Sequence, residues 1–450
     1  MAADPRTDDL RRAAVTAALP RVRGWLEDLV RIPSVSDVDG DAPDVERSAR
    51  AVAALLSEVG FADVTVVEAG GRPAVIGRHP APPGAPTVLL YAHHDVQPPG
   101  DPADWDTPPF EPVERGGRLY GRGAADDKAG IAAHLAAFLA HGSQPPVGVT
   151  VFLEGEEESG SDSLPALLDH HREALRADVI VIADSTNFDV GVPALTTTLR
   201  GLVNCIVEVR TLAHSVHSGM YGGIAPDALT VLSRLLGTLH DDSGDVAVEG
   251  LVSGPAADLD YPADRVRAES SLLDGVQLIG TGSVVERLWT KPALAVTGID
   301  APGAAHASNT LVASARAKIS LRLAPGDDCH RALDALTGHL HRAVSWGAHV
   351  EVTGVDFGEP FAIDAVGPAF DAARSAFAEA WDGTAPVDTG VGGSIPFIAQ
   401  FAEAYPNAAI LVTGVEDPDT RAHGANESLH LGEFARVCLA EALLLDRLAR

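Results

Sequence analysis

Apolar positions in the first 200 residues fall into two alternating patterns. Residues 8–30 (DDLRRAAVTAALPRVRGWLEDLV) and 44–59 (DVERSARAVAALLSEV) space their apolar side chains three and four apart, which predicts amphipathic helices, with Pro20 a candidate break in the first. Short apolar runs follow at 63–68, 73–78 and 87–92. Next come a helical stretch at 127–141 (DKAGIAAHLAAFLAH), a strand at 147–154 (VGVTVFLE), a helix near 162–175 and a strand at 177–184 (ADVIVIAD). Continuous apolar strands separated by helices predict an α/β sheet covered on both faces.

The pattern changes near Arg200. Residues 202–210 (LVNCIVEVR) alternate like a half-exposed strand, and a helix at 225–239 follows. After a long loop-rich stretch come strands at 293–299 and 317–325, a helix at 328–345 and a strand at 349–355. From 365 the first style returns, with helices at 365–380, 395–404 and 431–449 around the strand AAILVTGV (408–415). The expected organisation is an α/β catalytic domain with a mixed, helix-covered sheet, in two segments (1–199 and 363–450), interrupted by a smaller α+β domain at 200–362. A length of 450 residues suits such a division.

Charge and cysteine usage narrow the function classes. A net charge of −30, from 33 basic and 63 acidic residues, argues against a nucleic-acid partner. No uninterrupted apolar run reaches the roughly 18 residues of a membrane span. Residues 1–15 carry charges where a secretory signal would be apolar, so a cytoplasmic enzyme is expected. Cys205, Cys329 and Cys438 form no CxxC pair, so a transition metal would draw its ligands from His, Asp and Glu.

Five stretches carry candidate ligands. In YAHHDVQP (91–98) side chains alternate between faces, so His93 and Asp95 share one and His94 points away. Asp95 is placed to hold the second ring nitrogen of a metal-binding His93. In LYGRGAADDKAG (119–130) the acidic pair Asp126 and Asp127 opens a helix; one carboxylate caps it, or one bridges metals while the other caps. VFLEGEEESGS (151–161) masses carboxylates, Glu157 and Glu158 among them, at the strand end where α/β sheets place their sites. VIADS (181–185) delivers Asp184 to the same edge, and RAHGANES (421–428) supplies His423. A lone His or Asp is commonly structural. Five N/O ligands without a thiolate, His93, Asp126, Glu158, Asp184 and His423, suit two zinc-like ions sharing a carboxylate, with Asp95 and Glu157 beside them. Two such ions about 3.5–4 Å apart polarise a carbonyl and acidify a bridging water, and a spare carboxylate takes the proton.

With these motifs in order, and with HSGMYGG, SLRLAPG and GGSIP besides, the chain resembles the carnosinase, aminoacylase and carboxypeptidase G-like family of di-zinc metallopeptidases, nearest its dipeptidase branch. The resemblance implies two Zn²⁺ per chain, replaceable by Mn²⁺ or Co²⁺. It assigns His93 and Asp184 to one ion, Glu158 and His423 to the other, with Asp126 bridging, Asp95 orienting His93 and Glu157 as general base. It implies that the inserted domain is a lid that forms a homodimer interface. His217 would then stabilise the oxyanion, often in the partner subunit's site. Asn309 would lie near the oxyanion, Arg322 would hold a substrate carboxylate, and Gly393 and Ser394 would add donors at a helix start.

The expected activity is hydrolysis of the amide bond of a dipeptide or small peptide with a free carboxylate, through a metal-bridging hydroxide. Gly390 and Val391 stand where dipeptidases of this type often carry Arg-Glu, and Val312 and Ala313 follow Asn309 where a proline is common. Both departures concern the substrate. They make an N-acyl-amino-acid deacylase on the same scaffold the main alternative. A metal-binding relative without turnover is the third reading, opposed by the intact Glu157 and His217.

Overall fold

A computed structural model describes residues 5–37, 40–255, 259–393 and 396–449. The chain forms two compact units: Met1–Thr197 with Asp364–Thr389 and Phe397–Arg450, and Thr198–Ile363 with Gly390–Pro396. Residues 390–396 group with the second unit, whereas the sequence pattern assigns them to the last segment of the first.

The first unit is built on a large mixed sheet in the order Asp63–Val67, Ala74–His79, Gly148–Glu154, Thr87–His93, Val179–Ile182, Ala409–Val412, Ala194–Leu199. The four strands from Gly148–Glu154 to Ala409–Val412 run parallel, so their C-terminal ends share one edge. Val88 to Ala92 are all fully buried, which requires both faces of their strand to be covered. Tyr91 and Phe152, paired in register, lie against Phe397 and Phe401 of the helix Pro396–Ala404. The helix Lys128–Ala140 packs on the strand Thr87–His93 and is buried along almost its whole length. Its many alanines let it lie flat between the sheet and the helices Pro5–Val30 and Leu431–Leu448.

The candidate break at Pro20 does not materialise: Pro5–Val30 is one helix with Pro20 inside it. Val15, Val22, Leu26 and Leu29 continue one buried stripe across the proline. Burial of that stripe offsets the single hydrogen bond a proline removes. The strand Ala194–Leu199 and a three-stranded sheet of Val113–Arg115, Arg118–Tyr120 and Ser428–His430 were not legible, the latter because three residues carry no periodicity.

The C-terminal helix is tied down by Asp446. Its carboxylate accepts from Arg11 Nε at 2.7 Å and lies 3.3 Å from His141 Nε2. Burial pushes its pKa up, but bonds to His141 and Arg11 outweigh that and hold it down at about 2. A carboxyl with a lowered folded-state pKa stabilises above its unfolded value and loses that contribution as the pH falls through the folded one. Asp446→Asn is therefore expected to cost about 1–2 kcal/mol at pH 7. In urea melts that deficit should shrink between about pH 4 and pH 2; a constant deficit across that window would contradict the ion pairs' role.

The second unit has a four-stranded antiparallel sheet in the order Ala293–Asp300, Ser314–Leu323, Gly201–Arg210, His349–Gly358. Val203, Cys205, Val207 and Val209 face a core made with Ala317, Ile319 and Leu321 and the helices Ala228–Leu236 and Cys329–Ala343. The alternate positions, including Arg316, Lys318 and Arg322, lie on the other face. Among the described residues no helix is long and apolar enough to cross a membrane.

Candidate metal centre

The parallel strands of the first unit end together, and their next residues carry the chemistry. His93 closes its strand, fully buried. Its Nδ1 lies 3.1 Å from the carbonyl oxygen of Asp95 and 3.4 Å from that residue's Oδ1. Both are acceptors, so Nδ1 carries a proton, and Nε2 is the nitrogen aimed into the cluster. Nε2 faces Asp126 Oδ1 at 3.1 Å, with Glu157 Oε2 and Asp184 Oδ1 each at 4.0 Å. The other oxygen of Asp126 lies 3.1 Å from His423 Nε2, which also meets Glu158 Oε2 at 3.2 Å. Asp126 therefore divides its two oxygens between two imidazoles.

Asp126 and Asp127 part company. Asp127 Oδ1 accepts from Gly130 N at 3.2 Å and caps the helix Lys128–Ala140. Asp126 turns into the cluster. His94 is fully buried elsewhere: its Nε2 meets Pro73 O at 2.9 Å, and burial pulls its pKa down to about 4.

The electrostatics mark a site that wants cations. Burial, with the neighbouring Asp126 and Glu158 adding, lifts Asp184 to about 7. Burial and then Asp184 raise Glu157 well above the ordinary carboxylate range. The bonds to Asp126 and Glu158 hold His423 up at about 11. Burial lowers His93, but Asp126 and Asp95 outweigh it and the net shift is upward. Protonated imidazoles thus stand where positive charge is needed, and divalent ions would supply it more fully. His93, Glu157 and Asp184 form one group with ligand atoms close enough for an ion, and His93, Asp126 and Glu158 another. The donor set is all N and O, and Cys205, Cys329 and Cys438 are buried and unpaired.

Further contacts shape the site, and of the residues that make them Gln97, Glu416 and Glu427 were not singled out from the sequence. Asp95 accepts from the backbone N–H of Glu157 (3.3 Å) and of Glu158 (3.0 Å), besides its contact with His93. Gln97 donates through its backbone N and its Nε2 to the two oxygens of Glu158 at 3.1 and 2.8 Å. Glu427, fully buried, accepts from the N–H groups of Gly123, Ala125 and Asp126 and from Arg122, and so shapes the loop that presents Asp126. Gln97 and Glu427 lie inside motifs already quoted, but nothing in their spacing distinguishes them. Glu416 follows the strand Ala409–Val412, bridges to Thr186, and is raised by burial and by the charges of Asp126 and Asp184. His423 has φ +62°, a left-handed conformation uncommon for a non-glycine residue and frequent at functional sites.

The remaining expected residues lie in the second unit. His217 is exposed, and its Nδ1 accepts from Gly219 N at 3.0 Å. Its strand partner is Thr310, and Ser218 N donates to Asn309 O at 2.9 Å, so His217 and Asn309 are neighbours. Arg322 is half-buried on the sheet. A β-carbon at Gly393 would meet Val391 Cγ1 at 3.9 Å, and Ser394 lies outside the described residues.

Carboxylates and imidazoles collected at the edge of a parallel strand set define a metallohydrolase. The chain belongs to the peptidase family M20/M25/M40, whose family model it matches over residues 89–447, and it is a metallopeptidase by that membership. It is 35% identical over 431 residues to the cysteinylglycine-S-conjugate dipeptidase of Corynebacterium striatum, covering 94% of this chain and 95% of that one. The fold matches the di-peptidase Dug1p of Saccharomyces cerevisiae with a TM-score of 0.81 at 24% identity, over 98% of both chains. It matches human carnosine dipeptidase 1 with a TM-score of 0.80 at 25% identity, again over 98% of both. These matches bear out the expected family and the mixed α/β fold.

Proposed function

We propose that the protein is a dipeptidase that hydrolyses the amide bond of dipeptides with a free carboxylate, using two divalent cations, zinc foremost. The observation that carries this reading is Asp126, whose two oxygens each face a different imidazole at 3.1 Å, as a bridging ligand requires. His93 and Asp184 would hold one ion and Glu158 and His423 the other. When bound, the ions supply Lewis acidity for the scissile carbonyl and lower the pKa of a water. Glu157 removes that water's proton and passes it to the leaving amine. His217, with Asn309 beside it, donates to the developing oxyanion. Arg322, with Gly393 and Ser394, receives the substrate carboxylate. A homodimer through the second unit and a cytoplasmic setting complete the proposal; the three unpaired cysteines support the latter.

The test is a substrate panel with added Zn²⁺, Mn²⁺ or Co²⁺. Cysteinylglycine and other dipeptides are expected to be cut well ahead of N-acyl amino acids. The reverse order would make the protein a deacylase, and metal binding without turnover on any amide would make it a binding protein. In the same assay Arg322→Ala is expected to raise KM for free dipeptides about 10–100-fold, the worth of a charge-assisted contact. An unchanged KM would remove its assigned role.

A further inference from the structure

Arg322 is half-buried, and among the described residues its guanidinium has no ion-pair or hydrogen-bond partner. This is unusual in a chain with 63 acidic residues against 33 basic ones. A second arginine stands beside it. Arg322 pairs across the sheet with Leu202, two residues from Arg200, and is close enough for its charge to act on Arg200. Arg200 is 8% exposed and likewise has no carboxylate partner among the described residues. Its Nη1 reaches two carbonyls at long range, Arg287 O at 3.3 Å and Lys291 O at 3.4 Å. Its Nε is buried without any partner.

The unspent atoms, Nε and Nη2, form one edge of the guanidinium, the edge whose two parallel N–H groups match the two oxygens of a carboxylate. Gly392 lies against that edge and brings no side chain to it. A β-carbon at Gly392 would lie 2.8 Å from Nη2, so any side chain there would press against it. The backbone is fixed as well, since Arg200 N donates to Val391 O at 3.1 Å. Burial, followed by the charge of Arg322, pulls Arg200 down to about 10, so it remains cationic at neutral pH. Two neighbouring guanidinium cations repel each other until an anion lies between them.

We propose that Arg200 is a second specificity-determining arginine: with Arg322 and the Gly392 backbone it forms a two-cation site in the second unit that selects substrates ending in a free carboxylate. The inference rests on the dipeptidase reading and adds to it a residue that the motifs do not indicate. It also accounts for a buried arginine that two weak carbonyl bonds alone would leave underused.

The experiment compares cysteinylglycine with its C-terminal amide on wild type, Arg200→Met, Arg200→Lys and Gly392→Ala, each with metal bound. Arg200→Met is expected to raise KM for the free dipeptide about tenfold while leaving kcat and the KM for the amide within about twofold. Arg200→Lys, which keeps the charge but not the fork, should fall between. Gly392→Ala should show the same carboxylate-selective rise by displacing Nη2, and it serves where Arg200→Met does not fold. A purely structural arginine would change both substrates together, and that result, or no change in either, overturns the proposal. If wild type cuts no dipeptide, the dipeptidase reading fails on its own. The site is then read by calorimetric titration of N-acetylglycine against N-acetylglycinamide. Loss of the carboxylate preference in Arg200→Met sustains the inference, and equal preference in both proteins ends it.

Discussion

Glu157→Gln is expected to lose at least about a thousandfold in kcat, the upper part of the range for a positioned general base, while metal content stays near two per chain. The argument is a contrast between neighbours. Glu158 is held on every side: Gln97 donates to both its oxygens, and His423 Nε2 lies 3.2 Å from one of them. The carboxylate of Glu157 makes no hydrogen bond among the described residues and reaches only to 4.0 Å from His93 Nε2. A ligand benefits from fixed lone pairs, whereas a base that takes a proton and then gives it away needs freedom to move. Burial and Asp184 both push Glu157 toward protonation, and bound cations would oppose that shift, leaving it able to accept a proton near neutrality. The competing geometry is also plain, since Glu157, His93 and Asp184 lie close enough together to hold an ion. Metal analysis of the variant separates the two. Loss of one ion per chain would make Glu157 a ligand and hand the base's role to another carboxylate.

The sequence carried the metal-site segments further than it carried their supports. Strand alternation put His93 and Asp95 on one face and sent His94 away, and the structure agrees, with His94 bonded to Pro73 O behind the sheet. Buried apolar runs announced the parallel strands because a strand covered on both faces has no polar side to show. What stayed hidden depends on distant segments meeting. Glu427 acts on a loop some 300 residues upstream through backbone N–H groups, and backbone donors leave no trace in a side-chain pattern. Glu416 looks like any acidic loop residue until its strand is known to lie beside Val179–Ile182. Pro20 misleads for the opposite reason, because a local rule yields to tertiary packing on both sides of it. Arg200 shows the same limit. Its place beside Arg322 follows from the register of two strands more than a hundred residues apart.

Asp95→Asn is expected to reduce kcat by at least about a hundredfold and to weaken metal binding about 10–100-fold, the usual penalty for losing a supporting partner of a metal site. The carboxylate is fully buried and makes three contacts at once. Oδ1 accepts from Glu157 N and lies 3.4 Å from His93 Nδ1, and Oδ2 accepts from Glu158 N. Burial alone would raise its pKa, but the contacts with His93 more than compensate, so it stays ionised. Asparagine keeps the shape yet has only one acceptor oxygen. Whichever way the amide is turned, its NH₂ group faces an N–H donor or the protonated ring nitrogen, and one buried donor is left unsatisfied. The carbonyl of Asp95 still accepts from His93 Nδ1 at 3.1 Å, so the imidazole keeps its tautomer in the variant. The damage therefore falls mainly on the turn that carries Glu157 and Glu158, and turnover should suffer more than affinity for metal. Titration with Zn²⁺ alongside kcat at saturating metal distinguishes this from simple loss of ligand orientation. If saturating metal restored full turnover, Asp95 would act on His93 alone and the link to the base would be wrong.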